Sequence, residues 1–301
     1  MMDEKIAIIG TGRVGKAFTK ALCIKGYHVA AVYNHNEKKA KAFADFCENK
    51  TKYLPLEKFP EDLTQIFISV PDDSITSVAR EVAKKVQIST QTIITHFSGA
   101  LGSEALSPLR PKTTHLASFH PAQTFPGHEK DWQRFSGIYF GLEGDDYSIN
   151  KLTQIVNVLC GHFVIIPADK KVLYHLGCAI ASNFFVSLID TALDVMKKVG
   201  FSQQESLQVL EPLISSTFDN MKNKGPALAA TGPIPRGDLG TVKQHIKNLE
   251  KYSPELVPFY IELGQQLTKT VYQLPNSNKQ KLDRINDFLS LNKRETGLAD
   301  E

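Results

Sequence analysis

The fold of this chain is decided near its start by the stretch Ile6-Ala7-Ile8-Ile9-Gly10-Thr11-Gly12-Arg13-Val14-Gly15. Its four apolar residues predict a buried strand, and the amphipathic stretch Lys16–Cys23 that follows predicts a helix. The glycines between them have the spacing G-x-G-x-x-G. In this setting Gly10 allows a tight turn, Gly12 lets a pyrophosphate approach the backbone, and Gly15 lets the helix pack on the strand. Free backbone N–H groups and the helix dipole then favour a bound anion.

The alternation of short apolar runs and amphipathic stretches continues to about residue 167 and predicts βαβ units. Apolar runs this continuous are typical of parallel strands covered on both faces. We predict strands at Ile6–Ile9, Val29–Tyr33, Gln65–Ser69, Thr92–Thr95, Leu116–Phe119, Gly137–Gly141 and Phe163–Ile166. Helices are expected between them at Arg13–Lys25, Glu37–Glu48, Ser74–Lys85 and Ile149–Leu159.

From Pro167 onward the sequence predicts helices alone. The stretch from Val172 to Val199 is so evenly apolar that we expect one long, mostly buried helix. The Gly- and Pro-rich segment Thr231–Thr241 predicts a loop. Other helices are expected at Gln203–Lys222, Thr241–Glu250, Pro254–Val271 and Asn278–Leu289. Since 301 residues are too many for one core, we predict domains at 1–167 and 168–291 and a polar tail at 292–301.

Composition and charge narrow the class of protein. The 35 Lys and Arg residues nearly balance the 32 Asp and Glu residues, and their scatter does not imply nucleic acid. We expect no membrane-spanning segment and no signal peptide. The cysteines lack the spacing of zinc ligands, so we expect no metal and four buried free thiols, Cys23, Cys47, Cys160 and Cys178. A cytoplasmic protein is the expectation.

The end of the second predicted strand bears on the choice of dinucleotide. A site that prefers NAD usually carries an acidic residue about 20 residues after the glycines. Asn34 and His35 stand there instead, Arg13 is expected nearby, and three lysines follow, Lys38, Lys39 and Lys41. We therefore predict NADP(H) over NAD(H), although Glu37 is adjacent and the lysines could equally form a solvated helix face.

Polar residues directly after predicted strands are the candidates for ligand contact, because ligands bind outside the carboxyl ends of parallel strands. The loop after the strand Gln65–Ser69 contains Val70 and Pro71, and we expect this loop to lie over the cofactor ribose. The next two residues, Asp72 and Asp73, could each equally cap the following helix.

Two further strands are followed by polar groups suited to chemistry. His120 could act as an acid or base, because an imidazole titrates near neutrality, or its ring could simply cap the turn before Pro121. Ser98 could donate a hydrogen bond to the substrate or be an ordinary turn hydroxyl.

The predicted helical half adds a second group of candidates. Lys171 and His175 are four residues apart and share a helix face, with Asn183 close to the same direction. Buried polar groups need partners, which a cleft facing the nicotinamide would provide, although Lys171 could instead be solvated. In the Gly- and Pro-rich segment, Arg236 could hold a substrate carboxylate and Asp238 could cap a helix.

Taken together, these blocks resemble the Rossmann-like reductase family whose C-terminal domain is labelled as a domain of unknown function. The resemblance is carried by Gly10–Gly15, His96–Gly99, Phe119–Gln123, Tyr174-His175, Asn183 and Thr231–Asp238. It implies an α/β fold, with a mostly parallel Rossmann-type sheet followed by an all-helical domain of the 6-phosphogluconate dehydrogenase type. It also implies a homodimer formed through the helical domain.

Two wider resemblances bear on the candidate residues. Ketopantoate reductases carry Lys-x-x-x-Asn on a helix, which Lys171 and His175 resemble except that His replaces Asn. Prephenate dehydrogenases carry a His-Pro turn with an upstream serine, and His120-Pro121 with Ser98 is similar.

The resulting hypothesis is reduction of a small 2-oxo acid by NADPH, with ketopantoate of pantothenate biosynthesis as the first substrate to try. Lys171 or His120 would protonate or polarise the oxygen, Ser98 and Asn183 would orient the substrate, and Arg236 would hold its carboxylate. Reduction of an imine, oxidation of a cyclic acid, or cofactor sensing without turnover are the alternatives.

Overall fold

The apolar runs of the first half form a single eight-stranded sheet. The computed structural model describes residues 4–46 and 51–295. The strands are β1 Lys5–Ile9, β2 His28–Tyr33, β3 Lys52–Tyr53, β4 Gln65–Ile68, β5 Ile93–His96, β6 Leu116–Pro121, β7 Tyr139–Gly144 and β8 His162–Ile165. Their order is β3-β2-β1-β4-β5-β6-β7-β8, with only the β6–β7 pair antiparallel. The mostly parallel Rossmann-type sheet and all seven predicted strands are confirmed, and the two-residue β3 is too short to show a periodicity.

Alternate residues of the central strands pack into two separate cores. In β1, Ile6 and Ile8 face a cluster rich in phenylalanine, whereas Ala7 and Ile9 face a cluster of aliphatic residues. Because side chains alternate across a strand, both faces of the sheet are covered. This double burial explains why the strands are continuously apolar in sequence.

Four helices flank the sheet close to their predicted positions: α1 Arg13–Ile24, α2 Glu37–Phe46, α3 Asp72–Lys85 and α4 Asp146–Val158. The predicted end of α2 at Glu48 lies outside the described residues. Helix α3 begins two residues before the predicted start, with Pro71 at its N-cap. Asp72 and Asp73 therefore lie in its first turn, so neither is the N-cap that the sequence allowed.

The long apolar helix exists, but its predicted burial is wrong. It consists of α5 Lys171–Ala179, a π-helical segment Ile180–Phe184 and α6 Phe185–Val199. Only Lys171 and Leu193 are buried along it. The run Ala168–Val199 has the length and composition of a membrane span, a test that core helices of soluble proteins also meet. One compact unit ends at Phe184 and a second begins at Phe185.

The second unit is helical throughout its described residues. After α6 it contains α7 Gln203–Lys224, α8 Pro226–Ala229, α9 Pro233–Arg236, α10 Leu239–Tyr252, α11 Val257–Tyr272 and α12 Lys279–Glu295. Its core joins α9 to α12 through residues such as Ile234, Ile246, Ile261 and Ile285. Helices α6 and α7 contribute almost nothing to that core, with Leu193 and Ser206 their only buried residues.

Two local predictions for this half need correction. The segment predicted as a loop contains the one-turn helix α9, because Pro233 presets the first helical residue and Gly237, at φ +70°, ends it in the left-handed region. Helix α12 continues to Glu295, so the predicted tail from residue 292 begins inside it. Asp238 caps α10 as predicted, since its side chain accepts from the Thr241 amide.

The thiols are less enclosed than predicted. Cys23 and Cys178 are half-buried, whereas Cys160 is exposed, so the expectation of burial is wrong for Cys160. Its φ of 57° belongs to the turn that connects α4 to β8. Cys47 lies outside the described residues.

Candidate functional site

The glycine turn after β1 has three positions with different tasks. Gly10 has φ +100°, and a Cβ there would lie 2.0 Å from the Ser69 carbonyl oxygen. A Cβ on Gly15 would lie 2.4 Å from the Gly10 carbonyl oxygen. Both glycines are therefore required by packing. Gly12 differs, because a Cβ there would meet no atom within 4 Å.

The open space at Gly12 is what a dinucleotide site requires. Gly12 is the N-cap of α1, and no side chain caps that end of the helix. Free N–H groups and the positive end of the helix dipole therefore face the space where a pyrophosphate would bind. Val14 points the other way and packs against the core. The turn fits a bound dinucleotide at the backbone level.

A side-chain hydrogen bond connects the end of β2 to this turn. Asn34 donates from Nδ2 to Thr11 Oγ1 at 2.8 Å, and its Oδ1 accepts from the Asn36 amide at 2.8 Å. Thr11 is buried, whereas His35 is exposed. An amide therefore stands where an NAD-preferring site carries a carboxylate. The predicted cofactor residues Thr11, Asn34 and His35 thus lie beside the glycine turn.

The loop after β4 borders the turn from its other side. Val70 is half-buried, with its Cγ1 3.1 Å from the position that a Cβ on Gly10 would take. Pro71 is exposed and has φ −55°, which leads the chain directly into α3. Val70 and Pro71 therefore lie beside the glycine turn as well.

A basic cavity of about 740 Å³ opens next to Gly12. Its lining includes four cationic side chains and one histidine: Arg13, Lys16, Lys20, Lys39 and His128. Glu129 contributes the single carboxylate of the lining. Arg13 also packs close to Gly127 of the loop after β6. Clustered cations of this kind favour an anion such as a phosphate group.

A second cluster lies where β5 and β6 end, and it begins with Ser98. The Ser98 hydroxyl donates to Asp72 Oδ2 at 2.7 Å and accepts from the amides of Ala100 and Leu101. A hydroxyl has one proton and two lone pairs, so every hydrogen-bonding position of Ser98 Oγ is filled. Ser98 therefore holds the loop and the start of α3 together, which leaves no proton for a substrate in this arrangement.

Lys171 is the most enclosed charged group of the cluster. Its side chain is 0% exposed, and Nζ donates to Ser118 Oγ at 2.5 Å and to the Ser98 carbonyl oxygen at 3.3 Å. Burial lowers the pKa of Lys171 to about 8, against the opposing effect of Glu143 and Asp72. Because neutral groups hold its ammonium away from the surface, Lys171 cannot touch a substrate in this arrangement.

Replacing Lys171 with methionine is expected to leave stability at pH 7 unchanged or higher, because it removes a buried charge held by neutral partners. The lowered pKa means that the unfolded chain binds the proton more tightly. Wild-type stability should therefore rise between pH 8 and 10.5, and this rise should vanish in Lys171→Met. Denaturant unfolding across that range measures it. The exposed neighbour Lys170 provides the control Lys170→Met, which should keep the rise.

Two histidines of the cluster, His96 and His120, differ in their hydrogen bonds although burial lowers the pKa of each to about 4. His96 is fully enclosed, with Nε2 2.9 Å from the Gly102 carbonyl oxygen and Nδ1 accepting from the Ser98 amide. Both of its nitrogens are engaged by the backbone, so its role is structural. His120 is only half-buried, and Nδ1 lies 3.1 Å from Tyr174 Oη.

His120 and His175 close around one glycine. Their ring centroids are 5.8 Å apart, and a Cβ on Gly99 would lie 2.9 Å from His120 Nε2 and 2.6 Å from His175 Cδ2. Only a residue without a side chain lets the backbone approach both rings. The structure thus brings Ser98, His120, Lys171 and His175 together at one end of the sheet.

The two remaining predicted residues are exposed. Asn183 is exposed on the π-helical segment, and Arg236 is exposed at the end of α9 in the second unit. Sequence reasoning in turn gave no site role to Ser118 and Tyr174, which contact Lys171 and His120. Ser118 lies two residues before His120 on β6, and the period of two along a strand could have indicated it.

Comparison with known proteins agrees with this organisation. One family model, a Rossmann-like domain, matches residues 2–121, and another, the domain of unknown function DUF2520, matches residues 138–267. The chain itself combines a Rossmann-like domain with a DUF2520 domain, which confirms the resemblance seen in the sequence. A search of curated proteins found no match.

Several solved structures have the same fold. Protein TM1727 from Thermotoga maritima is 28% identical, with a TM-score of 0.70 over 89% of this chain and 98% of that one. A candidate NADP oxidoreductase from Bacteroides fragilis is 22% identical, with a TM-score of 0.70 over 88% and 98%. Pyrroline carboxylate reductase from Plasmodium falciparum, with NADP bound, is 14% identical, with a TM-score of 0.57 over 95% and 98%. At these identities the last two share the fold alone.

Proposed function

We propose that this protein uses NADPH to reduce the carbonyl of a small 2-oxo acid, with ketopantoate as the first substrate to test. One observation carries the proposal. The open glycine turn at Gly12 and the cluster around His120 both lie at carboxyl ends of parallel strands in one sheet, where ligands of such folds bind. A bound nicotinamide dinucleotide supplies the hydride.

The chain's own residues supply orientation and a hydrogen-bond donor. His120 is the proposed donor to the substrate oxygen, because its Nε2 faces the position of a Cβ on Gly99, and that glycine has no side chain. Lys171, which the sequence offered as an alternative proton donor, instead acts through Ser118 and the Ser98 carbonyl as a positioning residue. A donor held in place before the substrate arrives stabilises charge on the oxygen without reorganisation. The alkoxide that hydride transfer leaves then takes its proton from solvent water.

The remaining predicted contacts are proposals about the substrate itself. His175 lies against Gly99 beside His120, and we propose that it contacts the substrate. Asn183 and Arg236 are both exposed polar groups, and Arg236 suits a carboxylate because its guanidinium can donate two parallel hydrogen bonds. Their roles in orienting the substrate and holding its carboxylate stay predictions.

The test follows NADPH absorbance with ketopantoate, other 2-oxo acids and pyrroline-5-carboxylate as substrates. Turnover on ketopantoate or another 2-oxo acid supports the proposal. Turnover on pyrroline-5-carboxylate alone would make the protein an imine reductase. Tight NADPH binding without turnover on any member of the panel would favour a cofactor sensor.

The basic cavity beside Gly12 supports NADPH rather than NADH. Asn34→Asp introduces a carboxylate at the end of β2, which repels a 2′-phosphate and accepts hydrogen bonds from ribose hydroxyls. We expect NADPH affinity to fall about tenfold or more, equivalent to about 1.4 kcal/mol, while NADH affinity holds or rises. Cofactor fluorescence titrations measure both constants. Asn150→Asp adds the same charge at an exposed position of α4 and should change neither the NADPH affinity nor the NADH affinity.

We also propose that the protein is a homodimer formed through its helical half. Helices α6 and α7 expose apolar side chains along most of their length, among them Leu213 and Phe218, each 62% exposed. Exposed apolar surface of this extent marks an interface, and two-fold dimers are the commonest assembly. The acidic residues Asp190, Asp194 and Asp219 on the same helices argue against a lipid partner.

The double variant Leu213→Glu, Phe218→Glu is expected to convert a dimer of 33.4-kDa chains into monomers in sedimentation experiments. Wild-type protein that is monomeric, or that floats with lipid vesicles, would contradict the homodimer. Within the cell we propose a cytoplasmic location, on the ground that Cys160 and Cys178 are free thiols and Cys160 is exposed.

A further inference from the structure

The Tyr174 side chain packs against the sheet, between His120 and a glycine of β7. Its ring meets the His120 ring edge to face, with centroids 5.5 Å apart at 86°, and its hydroxyl lies 3.1 Å from His120 Nδ1. A Cβ on Gly141 of β7 would lie 2.8 Å from Tyr174 Oη. Any larger residue at position 141 would displace the phenol, so strand and helix together fix the Tyr174–His120 contact.

The direction of this hydrogen bond follows from the acceptors available. Burial raises the pKa of Tyr174, with a smaller effect from Cys178, so the phenol keeps its proton. A thiol sulfur is a weak acceptor, whereas an imidazole nitrogen is a strong one. A hydrogen bond donated by Tyr174 Oη to His120 Nδ1 is therefore stronger than one donated to Cys178.

A neutral imidazole that accepts at Nδ1 carries its single proton on Nε2. Burial, then Lys171 and then His175 lower the pKa of His120 to about 4, so the ring is neutral at physiological pH. Among the residues that the structure describes, no hydrogen bond to His120 Nε2 is formed. Its N–H is thus left for a ligand.

We propose that Tyr174 is a positioning residue that holds His120 with its proton on Nε2, and that this tautomer selects a carbonyl over a protonated imine. A carbonyl oxygen has lone pairs and accepts from Nε2–H. A protonated imine nitrogen has an N–H and no lone pair, so two donors would face each other. This inference rests on the proposed function and names the substrate class of the same site.

The tautomer is measurable without substrate or cofactor. In protein labelled with ¹⁵N-histidine, long-range ¹⁵N–¹H correlations distinguish a protonated from an unprotonated ring nitrogen, and His120→Asn identifies the His120 signals. We expect wild-type His120 to show a protonated Nε2 and a bare Nδ1, and Tyr174→Phe to populate both tautomers. A proton on Nδ1 in the wild type, or a spectrum unchanged in Tyr174→Phe, would overturn the inference.

Kinetics supply the second measurement. Tyr174→Phe should lower kcat for the carbonyl substrate about tenfold with little change in KM, and should spare the cyclic imine. Tyr139→Phe is the matched control, because Tyr139 is an exposed tyrosine of β7 whose ring also contacts a histidine, His162. It should leave both rates unchanged.

The two proposals can fail separately. If the wild type reduces no carbonyl, the proposed function falls, and the ¹⁵N spectrum still decides the tautomer. If the wild type reduces a carbonyl while Tyr174→Phe matches it in spectrum, rate and selectivity, the role of Tyr174 falls and the proposed function stands.

Discussion

Replacing Gly12 with aspartate is expected to weaken NADPH binding at least 100-fold, about 2.7 kcal/mol, while the protein stays folded. The structure predicts a loss of binding without a loss of folding, because a Cβ at Gly12 meets no atom within 4 Å. Aspartate is also a favourable N-cap residue, so α1 should not lose stability. Its carboxylate would occupy the space of the pyrophosphate and repel it. Titration calorimetry gives the affinity, and thermal unfolding gives the stability.

Gly15→Ala is the contrasting variant. A Cβ at Gly15 would lie 2.4 Å from the Gly10 carbonyl oxygen, so this substitution should lower the melting temperature. Gly12→Asp protein that binds NADPH as tightly as the wild type would contradict the assignment of the turn. Loss of folding in Gly12→Asp would contradict the finding that this position faces open space.

Replacing His120 with asparagine is expected to lower kcat by about 10²–10³-fold, the range typical of a lost hydrogen-bond donor at the reacting oxygen. NADPH affinity should hold, because the glycine turn does not depend on His120. Stopped-flow absorbance under saturating NADPH measures the rate. The exposed histidine of β8 offers the control His162→Asn, which should retain full activity.

The pH profile provides a second check on His120. An ordinary histidine would bend the profile near pH 6.5, but burial lowers the pKa of His120 to about 4. The neutral donor form therefore persists, and kcat/KM should be flat between about pH 5 and 7. Wild-type rates in His120→Asn would show that His120 takes no part in the reaction.

The sequence predicted the sheet well because each signal was local. The run Ile6–Ile9 and the glycine turn fix β1 and α1 without knowledge of distant residues, and continuous apolar runs fix the other long strands. The helical half shows the limit of such signals. An apolar helix has the same sequence pattern whether its partner is its own chain or another molecule, so Val172–Val199 was predicted to be buried and is largely exposed.

Residue types at the candidate site were also predictable, whereas their hydrogen bonds were not. His120 and Lys171 follow strand ends or open a helix, which is visible in sequence. That Ser98 gives its proton to Asp72 depends on the packing of α3 against the loop after β5. Tyr174 and Gly141 are 33 positions apart and meet only in the fold.

The arrangement of the cluster separates residues that support from residues that can react. The polar side-chain atoms of Ser98, His96 and Lys171 all form hydrogen bonds within the protein, to the backbone or to the side chains of Asp72 and Ser118. These bonds make a rigid frame. His120 is half-buried with one nitrogen unbonded among the described residues. Rigid support around one available donor is what preorganisation requires.

Tracing the transferred hydride into the product tests NADPH-dependent carbonyl reduction most directly. NADPH deuterated at the transferring C4 position would be incubated with the 2-oxo acid panel, and the product examined by mass spectrometry. We expect one deuterium on the former carbonyl carbon of a hydroxy acid product, and much slower formation of that product by His120→Asn. A protein that binds NADPH and transfers no deuterium to any member of the panel would contradict the account.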